Sequence, residues 1–138
     1  MHIVNRTNKY GTFIVLTHVL INIIHGAAHR QLHVGLHSAG MLFVVSVVVL
    51  CPLLALALLW TCQKRLGLIL LTFSMAASAT FGLYNHFVVS GPDHVSGQPP
   101  GPWSTVFVVT AYLLFLIEAI GTYAGFYFLR GRASRVLE

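Results

Sequence analysis

The run GMLFVVSVVVLCPLLALALLWT, residues 40–61, contains no charged side chain and only two hydroxyl side chains. A helix that crosses a bilayer needs about 20 mostly apolar residues, so this run is long enough to span a membrane. Pro52 lies near its middle and should kink the helix, because proline removes a backbone donor that neighbouring helices of a bundle can compensate. The run therefore predicts a transmembrane helix and places the chain among integral membrane proteins.

The chain as a whole is also strongly apolar. Of its 138 residues, 57% are hydrophobic and only 8% are charged, whereas soluble domains carry about 25% charged residues. Lipid offers no hydrogen bonds to the backbone, so the spanning segments must be helical. We therefore predict one all-α domain, residues 1–138, built as an integral membrane bundle of four helices. The predicted spans are about 11–28, 40–61, 66–89 and 103–129.

The basic side chains predict the orientation of these spans. Cytoplasmic connections carry an excess of lysine and arginine, and seven of the eight basic residues fall on one side of an up-down bundle. Both termini should then be cytoplasmic, and the connections at about 29–39 and 90–102 should face outward from a bacterial inner membrane. The net charge of +5 is explained by these anchors, so nucleic acid is not an expected partner. The seven are Arg6, Lys9, Lys64, Arg65, Arg130, Arg132 and Arg135, and the exception is Arg30.

Eight histidines are present, and most of them gather at the predicted outer face. His25 and His29 are four residues apart, so they share one face of the first helix. His86 ends the third span, and His94 follows it in the next connection beside Asp93. The first and third spans both end at the outer face, which predicts a site with ligands His25, His29, His86 and His94. Asp93 could accept a hydrogen bond from one of these imidazoles and fix its tautomer.

Two kinds of cofactor fit this pattern. Imidazole binds Cu, Fe and Zn, and HxxxH on a helix can supply two ligands to one ion. Haem b is the other possibility, with one axial histidine on the first span and His86 on the third. The small residues Ser74, Ser78 and Gly82 lead up to His86 at helical spacing, which suits a flat macrocycle and ordinary helix packing equally. The sequence leaves haem and a bare ion both open.

A carboxylate lies inside the fourth span. Glu118 should face the bundle, since ionisable residues in a membrane span avoid lipid and are candidates for function. By residue count it lies within about one or two helix turns in depth of His18 and Asn22, so we expect it to contact one of them. Such a contact could be a proton relay, a polar contact to a quinone or haem, or an interhelical hydrogen bond that only stabilises the bundle.

These features favour a membrane protein that binds haem or a transition metal ion at its outer face. Its predicted role is electron transfer as a redox subunit of a membrane complex, because the chain leaves little mass outside the bilayer for a substrate pocket. Its expected partners are the lipid bilayer, other membrane subunits or further copies of itself, and a quinone. Two alternatives remain: an accessory subunit without a cofactor, and a metal-ion carrier or sensor.

Overall fold

The computed structural model describes the backbone of residues 2–133 and the side chains of residues 6–131. The side chain of Arg132 and all of Arg135, two of the predicted cytoplasmic charges, lie outside the described residues. The described chain is helical, with a single turn of 3₁₀ helix at Val95–Gly97. The four long helices are α1 (His2–Gln31), α2 (Ser38–Leu59), α3 (Lys64–Val88) and α4 (Pro102–Ala133).

Each of these helices contains a stretch long and apolar enough to cross a membrane, which confirms the prediction of four such helices. Large apolar side chains cover their outer surfaces; Phe13, Phe73 and Tyr123 are 67%, 72% and 74% exposed. Soluble monomers rarely expose contiguous apolar patches of this kind. The outer surface is therefore suited to lipid, as expected for an integral membrane protein.

The helices form a closed ring of contacts, in which α4 packs against α1 and α3, and α2 packs against the same two helices. Helices α1 and α3 therefore lie on a diagonal. The indole N–H of Trp60 donates to Thr12 (3.1 Å), and the Tyr10 ring contacts Phe128. These contacts bring the start of α1 to the ends of α2 and α4. The end of α1 accordingly meets the end of α3 and the start of α4.

Two glycines allow the helices to approach closely. A Cβ at Gly67 would lie 2.9 Å from the backbone nitrogen of Leu59, and one at Gly121 would lie 2.9 Å from Met75. Only a residue without a side chain fits at such distances, as in many membrane helix contacts. The core that forms around these contacts is apolar and includes Ile14, Val15, Ala55, Leu59, Leu68, Leu71, Met75 and Ile117.

Two π-helical turns interrupt the regular α-helices. One, Val44–Leu50, comes just before Pro52, and its wider turn accommodates the backbone where proline cannot donate. The other, Tyr84–Val88, ends α3 and contains His86. Such turns are often found at functional sites, because they change the direction of the side chains that follow. This one determines where the ring of His86 points.

Candidate metal centre

Three histidine side chains meet where the end of α1 approaches the end of α3. The Nε2 atom of His25 lies 3.1 Å from Nε2 of His29 and 3.3 Å from Nε2 of His86. His25 and His86 are buried, and His29 is partly buried. The structure thus brings together the first and third spans, which the sequence could only place at the same membrane face. The ligand atoms of the three residues lie within 4.8 Å of one another.

The other ring nitrogen of two of these histidines faces a backbone carbonyl. Nδ1 of His29 is 3.0 Å from the carbonyl oxygen of Val34, and Nδ1 of His86 is 2.9 Å from that of Asp93. A carbonyl can only accept, so Nδ1 must carry the proton in both rings. In a neutral imidazole, Nε2 is then unprotonated and carries a free lone pair.

Thr110 fixes the third ring in the same way. Its Oγ1 lies 2.8 Å from Nδ1 of His25 and 2.6 Å from the carbonyl oxygen of Val106 in its own helix. Because the carbonyl takes the one hydroxyl hydrogen, Oγ1 can only accept from the ring, so Nδ1–H of His25 donates to Thr110. In all three rings, therefore, Nε2 is the unprotonated nitrogen, and Nε2 of His25 faces the Nε2 atoms of His29 and His86.

This convergence has a chemical consequence. Three unprotonated nitrogens that face one another repel. One added proton can form a hydrogen bond between only two of them, whereas one metal ion can bind all three. Two nitrogens bound to a tetrahedral ion at about 2.0–2.1 Å lie about 3.3–3.4 Å apart, close to the observed 3.1 and 3.3 Å. The pattern of Nε2 toward the centre and Nδ1–H toward a fixed acceptor is that of metal-binding histidines. The cluster could therefore hold a metal ion.

Phe107 forms the wall behind the cluster. Its ring is fully buried and lies 4.9 Å from the centroids of His25 and His29 and 5.3 Å from that of His86. It stacks on His25 and meets the other two rings at steep angles. One apolar ring thus limits the rotation of all three imidazoles and keeps water away from one side of the cluster.

Asp93, in the connection between α3 and α4, lies beside the cluster. Oδ1 of Asp93 is 3.4 Å from Nε2 of His29 and 3.4 Å from Nδ1 of His86. Neither carboxylate oxygen has a hydrogen-bond partner, although both are buried. Because Nε2 of His29 is unprotonated, its contact with Oδ1 joins two acceptors. His94 lies outside the converging group; its Nδ1 accepts from the backbone N–H of Ser96. That His94 supplies a further ligand stays a prediction.

A second polar group lies deeper in the bundle. Nε2 of His18 is 3.0 Å from Oε1 of Glu118, so the carboxylate contacts one of the two residues expected from its depth. His18 and Glu118 are 0% and 3% exposed. The amide of Asn22 donates to the backbone oxygen of His18 (3.0 Å). Nε2 of His18 also lies 3.0 Å from the amide nitrogen of Asn22, whereas Nδ1 of His18 is buried and without a partner.

A cavity of about 310 Å³ connects the two polar groups. Its outer end is lined by the three histidines and Asp93, and its inner end by Asn22, Ser78 and Glu118. Apolar side chains from α2, α3, α4 and the connection after α1 form the walls between these ends. They include Leu36, Met41, Val44, Val48, Phe81, Leu114 and Phe115. We refer to this cavity as the chamber.

Two contributors to the cluster had no signal of their own in the sequence. Thr110 and Phe107 lie about two and three turns before Glu118 on α4, and their roles depend on which histidines α4 meets. Ala111 lies on the same face of α4 as Glu118, and one more turn along that face reaches Phe107. The carbonyls of Val34 and Asp93 could not be found this way, because any residue type supplies a carbonyl.

Comparison with known proteins found no family model that matches this chain, and neither a curated protein nor a solved structure with significant similarity to it.

Proposed function

We propose that this chain is a membrane metalloprotein that binds one first-row transition-metal ion through Nε2 of His25, His29 and His86. The observation that carries the proposal is that Nδ1 of each ring lies against an oxygen that can only accept, which leaves three Nε2 atoms close to one another. Three neutral imidazoles suit Cu, Fe or Zn. Three protein ligands also leave a tetrahedral ion one position for another molecule. Because all three histidines line the chamber, that molecule would come from there.

The spacing favours a bare ion over haem b. The two axial histidines of a haem lie on opposite faces of the macrocycle, so their nitrogens are separated by two metal–nitrogen bonds, about 4 Å. Nε2 of His25 is 3.3 Å from that of His86 and 3.1 Å from that of His29. A macrocycle between either pair would require the rings to move apart, whereas a tetrahedral ion fits the present spacing.

We further propose that the chain serves as a redox subunit of a larger membrane complex. A copper or iron ion in a partly buried, largely apolar setting can change its charge state without large solvent rearrangement. The described loops are short, so electron donors and acceptors would have to bind at the outer face or arrive through the lipid. The expected partners are therefore other membrane subunits or further copies of the chain.

The proposed orientation places the metal centre outside. Arg6, Lys9 and the Lys64–Arg65 pair lie at the end of the bundle where α1 starts, opposite the histidine cluster. The excess of basic residues at that end supports an up-down bundle with cytoplasmic termini in a bacterial inner membrane. On this proposal the metal centre and Asp93 face the extracytoplasmic side.

The proposal is tested by elemental analysis and absorption spectroscopy of the detergent-purified protein, with and without dithionite. We expect about one equivalent of Cu, Fe or Zn per chain and no Soret band. His86→Ala should lose the metal, since it removes one of three ligands. The matched control is His33→Ala in the exposed connection after α1, which should retain it.

Other results would favour the alternative functions. A Soret band that sharpens on reduction and weakens in His86→Ala would establish haem. Protein from its native membrane with neither metal nor chromophore would support a cofactor-free accessory subunit. Weak, rapidly reversible binding of several metals would support a carrier or sensor.

A further inference from the structure

The inner end of the chamber contains a hydroxyl that the fold does not use. Ser78 is 2% exposed, and its Oγ is buried without a hydrogen-bond partner. Both Ser78 and Glu118 line the chamber. A buried polar group that lacks a partner costs about 1–3 kcal/mol. The hydroxyl is therefore placed to bond a molecule inside the chamber.

Gly82 keeps a passage open between the two polar ends. A Cβ at this position would lie 3.9 Å from Cδ2 of His86 and 4.0 Å from Oε2 of Glu118. The histidine of the metal centre and the deep carboxylate thus border the same small space. The chamber offers hydrogen-bonding groups at both ends and apolar walls, including the rings of Phe81 and Phe115, between them.

The chamber also has a side route toward the lipid. A second cavity, of about 150 Å³, lies between α1 and α2 and shares Asn22, Val44 and Val48 with the chamber. Its other lining residues, Val19, Ile23 and Val49, are all apolar. An apolar tail attached to a molecule in the chamber could leave the bundle through this gap.

We propose that the chamber is a binding site for a quinone or quinol. An aromatic ring with an oxygen at each end matches the two polar ends and the apolar walls, and an isoprenoid tail matches the gap between α1 and α2. One oxygen faces His86 and the metal centre, and the other accepts from Ser78 or bonds Glu118. The volume of about 310 Å³ is at the lower end of the range for small-molecule sites, about 300–1,000 Å³. The assignment deepens the proposed redox function and takes its electron-transfer setting from it.

The test measures binding of ubiquinone-1 to the full chain in nanodiscs of dioleoyl phosphatidylcholine. The quinone retained by loaded discs is compared with that in empty discs as the ratio of quinone to lipid rises. We expect saturation near one molecule per chain. Gly82→Leu, which fills the passage, should weaken binding at least tenfold. Its matched control is Thr80→Leu on the exposed face of the same helix, which should bind as the unmodified protein does.

Ser78→Ala separates a ligand contact from a structural role. The hydroxyl has no partner in the fold, so the variant should fold at least as well as the unmodified protein. Loss of a hydrogen bond to the quinone should nevertheless weaken binding about three- to tenfold. This variant keeps the test informative if Gly82→Leu fails to fold.

Three results would overturn the assignment: no retention above empty discs, unchanged binding in both Gly82→Leu and Ser78→Ala, or displacement by 1-decanol as effective as displacement by hydroquinone. Metal content measured on the same samples keeps the two proposals separate. Saturable, Gly82-sensitive binding by protein that never takes up metal would support the chamber and refute the metal centre. Stoichiometric metal without saturable quinone binding would do the reverse.

Discussion

Thr110→Val tests whether the imidazole tautomers create the metal centre. The substitution keeps nearly the same shape at this buried position, where Thr110 is 6% exposed. It removes the oxygen that accepts from Nδ1–H of His25 at 2.8 Å. In the metal-free protein the ring can avoid the loss, because its proton can move to Nε2 and donate to His29 or His86. A metal ion bound to Nε2 would force the proton back to Nδ1, where it would have no partner.

The expected magnitude follows from that unsatisfied group. A buried donor without an acceptor costs about 1–3 kcal/mol, and each 1.4 kcal/mol is about a tenfold change in binding constant. Metal affinity should therefore fall about 10- to 100-fold, the range usual for groups that orient metal-bound histidines. The stability of the metal-free protein should change much less.

The assay is a competitive titration with Co²⁺ and Zn²⁺, in which the visible absorption of bound Co²⁺ reports coordination number. Thr122→Val is the matched control, since Thr122 makes the same kind of bond to its own helix (2.8 Å to Glu118 O) and contacts no histidine of the cluster. The tautomer argument is refuted if Thr110→Val binds metal within twofold of the unmodified protein. It is also refuted if both threonine variants lose the same affinity.

Three further predictions concern stability. Glu118→Gln should change the free energy of unfolding in SDS by less than about 1 kcal/mol, because its amide can still form a hydrogen bond with His18. Glu118→Leu cannot form that bond and should cost about 1–3 kcal/mol. Equal losses in the two variants would show that the bond is not the source of stability. Gly67→Ala should lower the free energy of unfolding by about 1–3 kcal/mol, because the added methyl group pushes α2 away from α3. Gly26→Ala, with nothing within 4 Å of its Cβ, should be neutral or stabilising. A larger loss of stability in Gly26→Ala than in Gly67→Ala would contradict the packing. Metal at about 100 times its Kd should stabilise the fold by about 2.7 kcal/mol. The gain is measured as a higher Tm that EDTA reverses, and an unchanged Tm would contradict a metal centre.

The amino-acid sequence was sufficient to predict the helices, because their cause is local. Runs such as 40–61 are too apolar for water, and in lipid a backbone has no alternative to helical hydrogen bonds. The pairing of His25 with His29 was equally local, since four residues make about one turn. Residue depth also predicted a contact between Glu118 and one of its two polar neighbours on α1.

The tertiary structure alone decided what these groups do together. The contact between His25 and His86 depends on the diagonal packing of α1 and α3 and on the π-helical turn that directs His86. The tautomers depend on Thr110 and on the carbonyls of Val34 and Asp93, whose positions come from packing and loop conformation. The chamber is a cavity between several helices, and no residue pattern within one helix predicts its position or volume. Side chains from separate helices meet only where packing brings the helices together, which is why the candidate histidines could be predicted from the sequence and the distances between them could not.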